Sequence, residues 1–186
     1  MGEIADAIHR FILKGDFNGQ PKKIAVDGSG ILATKPLWVS QKIRIPFGAT
    51  SGALDANDAL GNKFTFSTSE DGEPLPIRGR ILSIRRGDQS DVVLADTIHI
   101  FTDDFTAAAS DAAFTISAAD EYNHVTSQTF PAGTDIGSAK TAEVTDVNVD
   151  YYSPLRKLVC QESTTGTPTP TVDAMPWVQI FVLDLS

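Results

Sequence analysis

The stretch Asp91–Val125, DVVLADTIHIFTDDFTAAASDAAFTISAADEYNHV, decides the fold class. It opens on the apolar run Val92-Val93-Leu94-Ala95 and continues with Ile98 and Ile100 on one parity around His99. Alternation at period two in β-branched and aromatic residues predicts half-buried strands. Phe101-Thr102-Asp103-Asp104-Phe105 leads into a small-residue turn from Ala107 to Asp111, and Ala113–Ile116 reads as a second short strand. Ser117, with Asp120 after it, predicts the N-cap and N3 acid of a single helical turn. Strand, turn, strand and short helix together make a segment of β-sandwich core.

Working outward toward the N-terminus, Ile77–Arg86 reads as a strand approached through Pro74 and Pro76. Lys63–Thr68 reads as a strand with Phe64 and Phe66 inward, after a long polar connection over Gly48–Gly61. Trp38–Phe47 gives the clearest strand pattern, with Val39, Ile43, Ile45 and Phe47 on one parity. Lys22–Ile31 reads as a small hairpin turned by Asp27-Gly28-Ser29-Gly30. That Gly-Ser-Gly run lacks the spacing and the following helix of a phosphate cradle, so it is read as a turn. Gly2–Lys14 reads as an amphipathic helix with Ile4, Ile8, Phe11 and Ile12 on one face and Gly15 as its C′ residue. Isolated helices shorter than about 12–15 residues rarely hold in water, so this one must dock. Its stripe packs either on its own domain or, as an arm, on a neighbouring subunit; Asp16–Pro21 has the look of a linker.

Working toward the C-terminus, a short strand is expected around Val125 and Phe130. A longer one follows over Thr141–Tyr152, with a β-bulge near Thr145-Asp146 where the apolar parity switches. Leu155–Gln161 reads as another strand, and Glu162–Val172 as a low-complexity loop rich in threonine and proline. Trp177–Leu185 is apolar on both parities, as in a central strand covered on both faces or a strand with one face at a subunit interface. The expected core includes Ile43, Ile45, Phe64, Ile81, Ile98, Ile100, Phe114, Val147, Ile180 and Val182. Many short strands without a βαβ rhythm predict an all-β antiparallel sandwich, jelly-roll-like, with a short N-terminal helix or arm. The expected organisation is an arm and linker over 1–21 and a sandwich over 22–186.

With 186 residues, 41% hydrophobic and 21% charged, the chain suits one globular domain. A net charge of -9 argues against nucleic acid as a partner. Arg78, Arg80, Arg85 and Arg86 form a basic group around Ile81-Leu82-Ser83-Ile84, read as flanking charges that blunt an exposed edge in preference to an anion site. No apolar run approaches the ~18 residues of a membrane span, and no signal-peptide pattern opens the chain. Membrane is therefore not an expected partner. The single cysteine, Cys160, lies in an apolar strand and is read as an inert buried thiol.

Catalytic, cofactor and metal sites are expected to be none. The histidines His9, His99 and His124 have no metal-binding spacing. Asp146-x-Asn148-x-Asp150 resembles half a calcium loop but lacks its glycine and distal acid, so it is read as the solvent-facing parity of a strand. Asp103-Asp104 and Asp55-x-Asn57-Asp58 read as loop acids.

Three segments carry a family likeness. They are Ile24–Ile31 leading into the strand at Trp38, the stretch from Ile98 to Asp120, and the Trp-containing C-terminal strand after the threonine-rich loop. Residues 22–186 resemble the small virion structural proteins of tailed bacteriophages, in particular capsid decoration (cement) and related head-associated β-sandwich proteins. The resemblance implies no catalysis, binding to the major capsid protein lattice and a homo-oligomer, expected as a trimer. It also implies a place on the capsid exterior of the virion after synthesis in the host cytoplasm. The partner-binding residues of the arm would be Ile4, Ile8, Phe11 and Ile12. The alternative is a carbohydrate- or receptor-binding β-sandwich module of a phage tail or fibre. The Trp and Tyr residues, Trp38, Trp177, Tyr122, Tyr151 and Tyr152, mostly sit inside strand patterns, which favours the structural reading over a sugar binder.

Overall fold

The computed structural model describes residues 25–26, 32–33, 37–45, 54–88, 95–131, 133–135, 140–167 and 176–186. The expected helix with Ile4, Ile8, Phe11 and Ile12, its linker, and the run Val92–Leu94 lie outside these residues. The chain forms two compact units, Met1–Leu37 and Trp38–Ser186. In the first, β1 (Ala25–Val26) pairs antiparallel with β2 (Leu32–Ala33), so the hairpin is present and its second arm falls just beyond Ile31.

The sandwich is built from β3 (Leu37–Val39), β4 (Ile43–Arg44), β5 (Ala59–Phe66), β6 (Arg78–Asp88) and β7 (Asp96–Phe101). The chain continues through β8 (His124–Thr129), β9 (Thr134–Asp135), β10 (Lys140–Val144), β11 (Val149–Tyr152), β12 (Leu158–Thr164) and β13 (Trp177–Asp184). The larger sheet has the order β3-β13-β6-β10-β9, with β4 also on β13 and β11 also on β6. The smaller sheet has the order β5-β12-β7-β8. The chain is all-β and its strand pairs are antiparallel. With β3 and β4 sharing one position and β10 and β11 another, the larger sheet takes the first, eighth, third and sixth positions in chain order. The smaller takes the second, seventh, fourth and fifth.

One buried cluster joins the sheets. Ile81, Ile84, Val178, Ile180 and Val182 of the larger sheet meet Phe64, Phe66, Ile98, Ile100, Leu158 and Cys160 of the smaller. Ile43 and Val147 pack at its margin, while Phe114 belongs to a second cluster with Phe101, Phe105 and Val159. Cys160 is fully buried, and burial raises its thiol pKa well above the ordinary range. Of the two readings of Trp177–Leu185, the sheet order fits the central strand: β13 is paired with β3 and β4 on one side and β6 on the other.

Several expectations are corrected. Trp38–Phe47 is not one strand: β3 and β4 are separated at Gln41-Lys42. There the Ser40 hydroxyl accepts the Ile180 backbone N–H at 3.0 Å, standing in for a main-chain carbonyl and breaking the alternation. The bulge in Thr141–Tyr152 is wide enough to split β10 from β11. Val144 faces Ile84 and Val149 faces Ile81, while Asp146 and Asn148 take left-handed φ values of 57° and 48°. Asp146 and Asn148 are therefore turn residues, not one parity of a strand. Ala113–Ile116 is no strand; Ala113 makes an isolated bridge to Asp58, and Phe114 instead covers the outer face of the smaller sheet. Ser117 does cap a turn: its Oγ accepts the Asp120 N–H at 3.2 Å and donates to the Asp120 carboxylate at 2.6 Å. A single 3-10 turn, Glu121–Asn123, follows.

Replacing Ile100, fully buried between the sheets, with alanine should cost about 2–5 kcal/mol through transfer and cavity terms. Urea denaturation measures this, and a loss below about 0.5 kcal/mol would be that of a surface position.

Candidate functional site

The largest departure from the sequence reading lies in β12. Glu162, Ser163 and Thr164, expected to open a solvated loop, are the buried end of a central strand. Glu162 shares the inward parity of Leu158 and Cys160, and Asp96 shares that of Ile98 and Ile100, so both acids face the larger sheet. Arg86 comes from that sheet on the parity of Ile84. Its Nη1 lies 2.9 Å from Asp96 Oδ1 and its Nε 3.9 Å from Glu162 Oε2. All three residues are at most 4% exposed. The expectation that Arg78–Arg86 flank an exposed edge is thus overturned. β6 is paired on both sides, and Arg86 is an interior brace between sheets.

The outer face of the smaller sheet carries a second polar array. His99 Nδ1 is 2.8 Å and His124 Nε2 is 2.9 Å from Ser127 Oγ, while His99 Nε2 is 2.9 Å from Ser163 Oγ. A hydroxyl has one proton, so with both rings neutral one imidazole accepts from Ser127 and the other donates to it. Phe114 stacks on His99 with ring centroids 4.1 Å apart. Burial, then the nearby His124, pushes the His99 pKa down to about 4; burial also lowers that of His124. A serine between two imidazoles has the donor set of a nucleophile and its base. Here the orienting acid is replaced by Ser163: among the described residues neither ring is hydrogen-bonded to a carboxylate. The array ties β7, β8 and β12 together on this face, and the His99 ring carries Phe114 of the 102–120 segment. Gln161 supports it, accepting the Ala108 N–H at 3.1 Å and donating to the Ala108 carbonyl at 2.8 Å.

The loop acids hold the same cover. Asp104 pairs with Lys63, and Asp103 with Lys157 at 3.0 Å. The Asp104 carboxyl is held below its usual range by Lys63, and that of Asp103 by the Asp104 backbone N–H and then Lys157. Asp58 accepts the Asp55 N–H at 2.8 Å and closes a turn. Among the described residues, no three His, Cys, Asp or Glu side chains are grouped to hold a metal ion. No helix among them is long and apolar enough to cross a membrane.

On the larger sheet, β11 and the residue after β13 border an open cleft of about 460 Å³ lined by Arg78, Asp150, Tyr151, Tyr152 and Leu185. Arg80 grips Asp150 with both oxygens engaged, Nε–Oδ1 at 2.5 Å and Nη2–Oδ2 at 3.0 Å, which lowers the Asp150 pKa. The Arg78 guanidinium lies 5.4 Å over the Tyr152 ring. Tyr152, expected within a strand pattern, is 58% exposed and Tyr122 is 94% exposed, so two of the five Trp and Tyr residues face solvent. Beneath, the Tyr151 side chain crosses Gly79, where a Cβ would come within 2.6 Å of its hydroxyl oxygen.

Compared with known protein families, curated proteins and solved structures, the chain matches none.

The sequence reading missed Arg86, Asp96, Glu162, Ser127 and Ser163. For the brace a signal was present: Asp96 and Glu162 put charge on the inward parity of otherwise apolar strands. Ser127 and Ser163 have no such signal, because serine is ordinary on a strand's solvent side.

Two outcomes follow from this geometry. Arg86→Met should cost about 3–5 kcal/mol in urea denaturation by stranding buried acids, far more than Arg85→Met at the exposed Arg85–Glu143 pair. For pH, the His99 pKa is near 6.5 when unfolded and about 4 when folded. Between those values the unfolded chain binds a proton that the fold refuses, so stability falls as pH drops through this window. The carboxylates with lowered pKa act lower, losing their contribution only below about pH 4. Thermal melts from pH 7 to 4.5 should show the decline, and His99→Gln should make it shallower.

Proposed function

We propose that this protein is a non-enzymatic structural component of a phage virion, a decoration or cement protein that binds and stabilises the capsid lattice. The observation that carries the reading is the strand order. With the two-residue edge strand β9 set aside, eight positions divide between the sheets as 1-8-3-6 and 2-7-4-5, which we read as a jelly roll, an architecture shared by viral capsid and lectin domains. Fold alone does not specify function, so the reading leans also on how the interior chemistry is used. The buried ionic group braces the two sheets, and the histidines fasten a cover segment. A rigid body of this kind suits a protein that reinforces a lattice.

Attachment is assigned to the N-terminal segment. The stripe Ile4, Ile8, Phe11 and Ile12 requires burial, worth roughly 1.5–3 kcal/mol per side chain before ordering costs. Asp16–Pro21, extended, reaches about 20 Å at 3.3–3.6 Å per residue. That reach lets the helix dock on the capsid floor or on a neighbour in a trimer.

The test is cosedimentation with assembled capsids, for the full chain and for a deletion of residues 1–21. The full chain should bind at lattice stoichiometry. The deletion should keep a nearly unchanged melting temperature but bind, or trimerise, much more weakly. A full chain that ignores capsids would overturn the assignment, and a deletion that unfolds the sandwich would place the stripe in its own core.

A further inference from the structure

We propose that the cleft beside β11 binds a carboxylate-bearing saccharide residue, a uronic or sialic acid in chemical class, with Arg78 taking the carboxylate. Arg78 is set apart from the other arginines of its group. Arg86 faces Asp96 and Glu162, Arg80 grips Asp150, and Arg85 meets Glu143 at 3.2 Å. Among the described residues Arg78 makes no ion pair, and its guanidinium instead lies over the Tyr152 ring. A guanidinium held near an aromatic ring keeps its N–H donors, which lie in its own plane, open to a planar, two-oxygen acceptor.

The remaining walls suit the rest of such a ligand. Tyr152 offers a largely exposed aromatic surface to the C–H face of a pyranose. Asp150 is fixed by both arginine contacts yet keeps a further lone pair on each oxygen, so it can accept sugar hydroxyls without moving. Tyr151 also borders the cleft, its side chain lying beneath on the core side against Gly79 and Val182. At about 460 Å³ the cleft lies within the usual range for small-ligand sites. An apolar or purely cationic ligand would leave Arg78 unanswered, and a bare anion would leave Tyr152 and Asp150 without a role.

This inference does not depend on capsid attachment, since the cleft lies on the sandwich and the arm is assigned to residues 1–21. The test is titration calorimetry or saturation-transfer NMR on the full chain. The probes are glucuronic acid, N-acetylneuraminic acid, glucose and acetate. At least one acidic sugar should bind more tightly than both glucose and acetate. Arg78→Gln should weaken it about tenfold or more, the scale of a lost charge-assisted hydrogen bond. Tyr152→Leu should also weaken it, and both exposed-site variants should melt within a few degrees of the parent. Binding of acetate as tight as that of the acidic sugars would reduce the cleft to an anion site and overturn the assignment. So would the absence of acidic-sugar binding at millimolar concentration, or binding unchanged in Arg78→Gln.

Discussion

The contact between Arg86 and the two acids facing it sets the terms for the sandwich. A guanidinium and two carboxylates lie in an interior otherwise filled by isoleucine, valine and phenylalanine. Taking such groups out of water is expensive, and attraction offsets the cost only when the partners are held in place. Here each partner comes from a different strand: Arg86 from β6, Asp96 from β7 and Glu162 from β12. The requirement to bring them together therefore fixes how the larger sheet sits over the smaller. Apolar contacts alone tolerate a shift between sheets; a charged group left facing methyl groups does not.

The same strands carry different chemistry on their outer faces. On β7, Ile98 and Ile100 look inward while His99 and Phe101 meet the cover segment. On β12, Cys160 and Glu162 look inward while Gln161 and Ser163 hold that segment and the histidine array. A one-residue slip would place Gln161 in the core and Cys160 under the cover, so the two faces enforce one register. The irregularities fall where that register has to change. β6 has an extra residue at Leu82 against β13, and on its other side the four residues 145–148 separate β10 from β11. Ile81 and Ile84 both reach the core because of this interruption.

Much of this was legible in the chain. Alternation located β5 and β7, the two-sided apolar pattern of β13 fitted a central strand or an interface strand, and the parity switch marked as a bulge the place where β10 and β11 separate. What escaped notice was polar sequence doing the work of core. Glu-Ser-Thr after Cys160 has loop composition, and only partners distant in sequence, Arg86 and His99, explain its burial. Conversely, Ala113–Ile116 has strand composition but lies across a sheet face, because Phe114 is held by the Phe101–Phe105 cluster. Local composition misleads wherever a long-range partner decides, and the cleft at Arg78 and Tyr152 is such a place.

The position of β12 and β13 bears on how the chain is made. Each lies in the middle of its sheet, yet each follows its neighbours in sequence: β12 separates β5 from β7, and β13 separates β6 from β3 and β4. As the chain emerges from the ribosome, neither sheet can zip up in order of synthesis, because the middle strand of each is still to come. The early strands wait with unpaired edges, and closing the long intervening loops carries an entropic cost. Neither sheet can close before its middle strand has been made, and a chain halted before residue 158 exposes strand edges suited to aggregation rather than a smaller folded protein.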